Sequence, residues 1–244
     1  MCSTANLAGQ CPSRVKTGKA HEAAADRVPR RREHDRDDRC RLLPSLEGFN
    51  LSVQPLRDRT WRTFLRNHAD ATAAIDLCVV PTLTFGCLFA FLVMGHGRRQ
   101  LLWFAVTRHP TAEWLAQQIV EAFPWDTAPT YLVRDNDGVY GQAFTSRVRM
   151  MGIRDRPISP RSPWQNPYVE RLIGTLRRDC LDHVLIFGEQ HLRLVLTLYS
   201  LYYNETRTHL GLGKDTPLRR AVERVGTVVT IPILSGLHHR YVRI

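Results

Sequence analysis

Apolar residues recur along this chain in two rhythms, one extended and one helical. The run Ala73 to Val80 is apolar except for a single acid, Asp76, and predicts a first strand. Phe85 to Met94 carries no polar side chain, as expected of a second strand buried on both faces. Gly95 to Gln100 is polar and glycine-rich, which predicts a hairpin turn, and Leu101 to Thr107 follows as a third strand. Pro110 and Thr111 open a helix whose Trp114, Leu115, Ile119 and Phe123 are spaced for one buried face. A fourth strand is expected over 130–135. A helix over 142–151 carries Phe144, Val148 and Met151 on one face and stops at Gly152. A short strand near 154–159 comes next, then two long helices at 166–183 and 189–207.

Three strands in hairpin order, followed by alternating helices and strands, make a mixed α/β pattern. The order matches a ribonuclease H-like fold: a mixed central sheet flanked by helices. In that arrangement the first strand carries one carboxylate at the sheet centre, an adjacent parallel strand a second at its end, and a later helix a third. Asp76, Asp135 and Glu170 fall at these three kinds of position.

Charge narrows the partners. The chain has 244 residues, 43% of them hydrophobic, and a formal net charge of +11. This supports a real core and favours nucleic acid or an anionic membrane surface over a neutral partner; a merely soluble basic protein is the plainer alternative. Leu77 to Gly95 is free of charge and long enough for a bilayer. Pro81, Thr82, Thr84 and Gly86 interrupt it, so two strands joined at Pro81-Thr82 are the better reading. The six cysteines (2, 11, 40, 78, 87 and 180) include no Cys-x-x-Cys pair, so they supply neither a disulfide framework nor a zinc motif. Cys78 and Cys87 read as core residues, and the usage fits a reducing cytoplasm. The N-terminus lacks the apolar stretch of a signal peptide. Residues 1–59 centre on a mixed-charge run, Arg30 to Arg39, without apolar periodicity, and read as a poorly ordered leader. A short solvated helix and a DNA-contacting arm are the other readings.

A carboxylate inside an apolar strand is costly unless it is paired or bound to a metal. Three of them suggest one divalent-metal site. Breaking or joining a phosphodiester needs an activated oxygen nucleophile and relief of charge on the leaving oxygen, and two hard cations supply both. Mg²⁺, with Mn²⁺ as a substitute, prefers carboxylates, water and substrate phosphate. Asp76 is then expected to bridge both ions, with Asp135 and Glu170 holding one each. Asp137 competes with Asp135, but Asp137-Gly138 reads more naturally as a turn. Surface charge is the alternative for each acid, weakest for Asp76.

The motifs Ala74-Ile75-Asp76, Arg134-Asp135-Asn136-Asp137-Gly138-Val139-Tyr140-Gly141 and Ser159 to Arg171 (with Trp164-Gln165-Asn166-Pro167-Tyr168-Val169-Glu170) carry a resemblance. So do Tyr202-Tyr203-Asn204 and Arg207-Thr208-His209. From about Trp61 the chain resembles the integrase-like catalytic core of bacterial insertion-sequence transposases, in the retroviral integrase superfamily. Glu170 follows Asp135 by 35 positions, the step of that motif. The resemblance implies that Asp76, Asp135 and Glu170 are the catalytic, metal-holding Asp-Asp-Glu set. It implies DNA 3′-end cleavage and strand transfer, with transposon ends and target DNA as partners and a homo-oligomer holding them. It divides the chain into the leader 1–59, a catalytic core 60–210 and a basic C-terminal extension 211–244.

The neighbours fit that role. Glu170, Gly174 and Arg177 share a helix face, with Gly174 leaving room for a close approach, and Arg171, Arg177 and Arg178 are candidate phosphate contacts or ordinary solvated charges. Gln165 and Asn166 are candidate DNA contacts, with helix capping the plainer role for Asn166. His109 and the tyrosines 199, 202 and 203 read as structural. The tail Gly236 to Arg243 is expected to form a short strand or hairpin that contacts DNA. Relatives usually carry helix-turn-helix modules ahead of the core, and residues 1–59 lack a three-helix apolar pattern. A truncated or frameshifted copy is the expectation. Two rivals follow: an inactive remnant that binds DNA or transposase subunits, and a ribonuclease H-like nuclease acting on RNA–DNA hybrids.

Overall fold

The computed structural model of the protein describes residues 56–244, so the expectation for the leader lies almost entirely outside the described residues. Five strands form one sheet: β1 (Thr72–Pro81), β2 (Cys87–Gly95), β3 (Leu101–Thr107), β4 (Tyr131–Arg134) and β5 (Arg154–Pro157). Their order is β3-β2-β1-β4-β5. The first three pair antiparallel through tight turns. β4 joins β1 in parallel, and β5 joins β4 in parallel. Helix α2 (Ala112–Ala122) makes the crossover to β4, and α3 (Gln142–Met150) the crossover to β5. The chain has a mixed sheet flanked by helices, with β1 at its centre.

Side-chain alternation along β1 and β2 feeds two cores. Ala73, Ile75, Phe91 and Val93 pack with Leu115 and Ile119 of α2 and Phe144 and Val148 of α3. Ala74, Cys78, Val80, Leu88, Leu92 and Met94 face the opposite way. There they meet α4 (Pro167–Asp179), α5 (Glu189–Leu201) and Leu65 of α1 (Leu56–Asn67). α1 begins ahead of the globular stretch expected from residue 60. No helix among the described residues is long and apolar enough to cross a membrane. The uncharged run Leu77 to Gly95 is instead most of the β1–β2 hairpin.

The first of the two long helices ends earlier than its apolar spacing predicts, and the second runs its expected length but changes its winding near the end. α4 stops at Asp179 and a short 3₁₀ turn, Leu181–His183, follows. Past Leu201 the last helix widens into a π turn, Tyr202–Thr206. Its Asn204 makes two bonds to the backbone of Leu101, accepting from the N–H (3.0 Å) and donating to the carbonyl (2.9 Å). A local widening of this kind re-aims side chains that a regular helix would place elsewhere. Tyr199 and Tyr203 are buried packing residues, as expected. The tail forms a separate antiparallel ribbon, β6 (Val228–Ile233) and β7 (His238–Arg243). His238 ties it down by stacking on Tyr202 (centroids 4.2 Å apart) and donating from Nε2 to the Asp179 carbonyl (2.7 Å).

Candidate active site

The register of the sheet brings two of the acids level. Ala74 of β1 pairs with Val133 of β4 in parallel, and Asp76 and Asp135 each stand two residues further on. A step of two preserves the face, so both follow their predecessors toward the α4 side of the sheet, where Ala74 and Val133 are buried. Glu170 enters from above, in the first turn of α4.

The start of α4 is held by three contacts. Asn166, 1% exposed, donates from Nδ2 to the Ile75 carbonyl (3.2 Å), next to Asp76. Trp61 donates from Nε1 to the Gln165 carbonyl (3.0 Å), and the Gln165 side-chain oxygen accepts from the Ser159 N–H (2.8 Å). Pro167 occupies the first helical position, where its missing N–H costs nothing. Asn166 therefore caps no helix with its side chain; it pins the helix to the central strand. Its burial leaves it no surface to offer a DNA strand. Gln165 is likewise engaged in the loop.

The three acids disturb one another. Burial pushes the Asp76 carboxyl up to about 7, and the charges of Glu170, Asp135 and Asp137 push the same way. A bond from the Leu77 N–H (2.7 Å) pulls against them. Asp135 is raised by burial and then by Asp137, against the pull of Arg134. Glu170, at the mouth of the site, is raised by partial withdrawal from water and then by Asp135. Among the described residues, no three His, Cys, Asp or Glu side chains close into a metal cage as they stand. The donor set nevertheless fits a hard cation. It is all carboxylate, its members repel one another, and Asp135 Oδ1 is buried without a hydrogen-bond partner. Asp137 forms the expected turn, its Oδ1 accepting from the Val139 N–H (3.2 Å).

Arg134 is the residue that the motif reading passed over. It is 6% exposed, forks onto Asp155 of β5 (Nη2 to Oδ2 2.8 Å, Nε to Oδ1 3.0 Å), and donates from Nη1 to the Asp135 carbonyl (3.0 Å). Its guanidinium lies over the rings of Tyr140 (5.1 Å) and Phe144 (5.9 Å). The Asp135 backbone is thus clamped by a buried ion pair. A signal existed: Arg134 is a charge closing an apolar strand, the anomaly that singled out Asp76. Arg171, Arg177 and Arg178 are all exposed. Arg177 donates to the Val79 carbonyl (2.9 Å), and a β-carbon at Gly174 would meet the Arg178 guanidinium at 3.2 Å. The glycine makes room for that arginine. His109 is exposed, and its backbone N–H donates to the Thr107 hydroxyl (3.1 Å).

The fold is ribonuclease H-like, a mixed five-stranded sheet flanked by helices with three carboxylates on one side of its centre. The family model described as integrase core domain matches residues 151–217, a span that includes Glu170 and precedes the C-terminal ribbon. The insertion element IS476 uncharacterized 39.2 kDa protein of Xanthomonas euvesicatoria is 31% identical over 86 residues. That match takes in 33% of this chain and spans about a quarter (25%) of the relative's length. Among solved structures, the catalytic domain of Mos1 mariner transposase superposes with a TM-score of 0.50 at 11% identity, covering 65% of this chain and 84% of that one. The same Mos1 domain solved with raltegravir and Mg gives a TM-score of 0.50 at 10% identity, over 62% and 84%. At such identities the structural likeness speaks for the fold. By sequence, residues 151–217 are similar to integrase core domains, and an 86-residue stretch is similar to an insertion-element protein.

Proposed function

We propose that this chain is a metal-dependent DNA phosphoryl transferase of the transposase and integrase type, cleaving 3′ ends and transferring strands. Its partners are transposon ends and target DNA, its cofactor Mg²⁺ or Mn²⁺, and its setting the cytoplasm, as a homo-oligomer able to hold two DNA ends. The observation that carries this reading is the convergence of Asp76, Asp135 and Glu170 from three elements onto one side of the sheet, with their proton affinities raised by burial and then by neighbouring acids. Structural anions are placed to be neutralised within the fold; these are placed to be neutralised by something bound.

Asp76, Asp135 and Glu170 would hold the metal, which supplies an activated oxygen nucleophile and offsets charge on the leaving oxygen. The chain's own part is positioning. Arg134 and Asp155 fix the Asp135 backbone, and Asn166 fixes the start of α4 and with it Glu170. Exposed arginines along α4 offer contacts to phosphates flanking the reacting one.

The test is strand cleavage and joining on branched DNA by the purified chain with Mg²⁺ or Mn²⁺, beside Asp76→Asn. Metal-dependent turnover that falls by about a thousandfold or more in the variant is the expected result. A folded protein that binds DNA and never cuts it would convert the reading to an inhibitory DNA-binding remnant. A preference for RNA–DNA hybrid over duplex DNA would convert it to a ribonuclease H-like nuclease.

A further inference from the structure

We propose that a second, separate cleft on this chain binds the phosphodiester backbone of a DNA strand beside the reacting phosphate. The inference rests on the function proposed above and assigns that substrate a track. The cleft, about 340 Å³, opens between the β2–β3 turn, α4 and the loop after the π turn. Arg99, Tyr168, Arg171, Arg178, Arg207 and His209 line it.

Its charge is uncompensated. Arg207 is paired with Asp179 (2.8 Å). Arg99, Arg171 and Arg178 have no carboxylate partner and no side-chain hydrogen bond among the described residues. Three guanidinia thus share one concave surface that presents no acid of its own. Arg99 is held there rather than waving in solvent. It sits at a left-handed backbone position (φ 57°), lies over the Tyr168 ring (5.0 Å), and packs so closely on Gly211 that a β-carbon there would collide with its guanidinium. A non-glycine residue in that conformation is uncommon and costs backbone strain, and such strain collects at functional positions.

His209 is the second, independent pointer. It is 7% exposed, and its buried Nε2 makes no well-aligned hydrogen bond, with the Tyr203 carbonyl as its nearby acceptor. Arg207 Nη1 lies 3.4 Å from His209 Nδ1. A guanidinium only donates, so Nδ1 accepts and Nε2 carries the proton. His209 lines the cleft beside the unpaired arginines, whose guanidinia are the donors that an anionic oxygen meets.

The geometry favours an extended polyanion over a single phosphate. Arg171, Thr175 and Arg178 recur at helix spacing, one residue on from the Glu170, Gly174, Arg177 row. The cleft therefore begins one side chain from Glu170 and runs for about 10 Å along α4. This assigns Arg171 and Arg178 to a track with Arg99, apart from Arg177, whose guanidinium is bonded to the Val79 carbonyl.

The experiment is fluorescence anisotropy of the full chain with labelled branched DNA in EDTA, from about 50 to 200 mM salt. The double variant Arg99→Ala/Arg171→Ala should bind about tenfold more weakly, and its slope of log affinity against log salt should fall by roughly two. Arg149→Ala, exposed on α3 across the sheet, should keep both the affinity and the slope. Far-ultraviolet circular dichroism melts verify that each variant folds. A double variant with unchanged affinity and slope, a loss matched by Arg149→Ala, or a wild type that does not bind DNA would overturn the track. Asp76→Asn should bind as the wild type does in EDTA. The catalytic reading is judged by metal-dependent cleavage, so the two fail separately: cleavage can persist with no track, and binding can persist with no cleavage.

Discussion

The two faces of the sheet treat charge in opposite ways. On the α2–α3 face the buried guanidinium of Arg134 is neutralised by a forked bond to Asp155 and covered by Tyr140 and Phe144. On the α4–α5 face Asp76, Asp135 and Glu170 gather without a salt bridge, and Arg99, Arg171 and Arg178 meet no acid among the described residues. Charge that serves the fold is paired within the fold. Charge left unpaired, and positive a short way from negative without closing on it, is held open for a ligand carrying both a cation and a phosphate backbone.

The sharpest way to break this contrast is to unpair the paired face. Asp155→Ala strands the Arg134 guanidinium in the core and should cost about 3–5 kcal/mol, read by urea unfolding. Arg134→Met with Asp155→Leu should recover most of that loss, while DNA cleavage stays low because the Asp135 carbonyl has lost its clamp. An intact fold in Asp155→Ala would mean that the pair is not structural.

Neutralising the unpaired face should do the reverse. The folded-state value of Asp76, about 7, lies above its ordinary 3.8. Its contribution to stability is therefore fully present below about pH 4 and is lost as pH rises through 7. Without metal, Asp76→Asn should be the more stable protein at pH 8, by roughly 2–4 kcal/mol, and indistinguishable from wild type near pH 4. Mg²⁺ should raise the wild-type Tm at pH 8 and leave that of the variant nearly unmoved. A variant no more stable than wild type at pH 8 would show that the acids are already compensated.

Smaller effects sharpen the picture. Asn166→Ala removes the bond to the Ile75 carbonyl and should cost about 1–2 kcal/mol, with a larger relative loss of cleavage than of stability. Arg177→Ala removes an exposed bond to the Val79 carbonyl and should cost less than about 1 kcal/mol. A larger loss in thermal unfolding would make Arg177 part of the core rather than of the site.

Strand and helix positions were largely legible because their signal is local. The apolar run broken at Asp76, the glycine-rich turn and the face of Trp114, Leu115 and Ile119 appear as β1, the β2–β3 turn and α2 within a residue or two. The end of α4 and the π winding at the end of the last helix were not legible. Apolar spacing continues past Asp179 and Leu201, while the backbone follows contacts made far away in the chain, such as Asn204 on Leu101. Asn166 illustrates the same limit. A residue of its type ahead of a proline reads as a cap, yet its side chain reaches a strand 91 positions earlier.

By itself, then, the sequence determined the alternation of strands and helices, the candidate acids and the net positive charge, since each depends on residue type and near-neighbour spacing. Only the tertiary structure decided which charges are paired. Arg134 and Asp155 lie 21 positions apart, and Arg99 and Arg171 come from a hairpin and a distant helix. Pairing falls off within a few ångströms in a medium where chain separation carries no information about distance, so the sheet register and helix packing had to be in place before the unpaired set could be recognised.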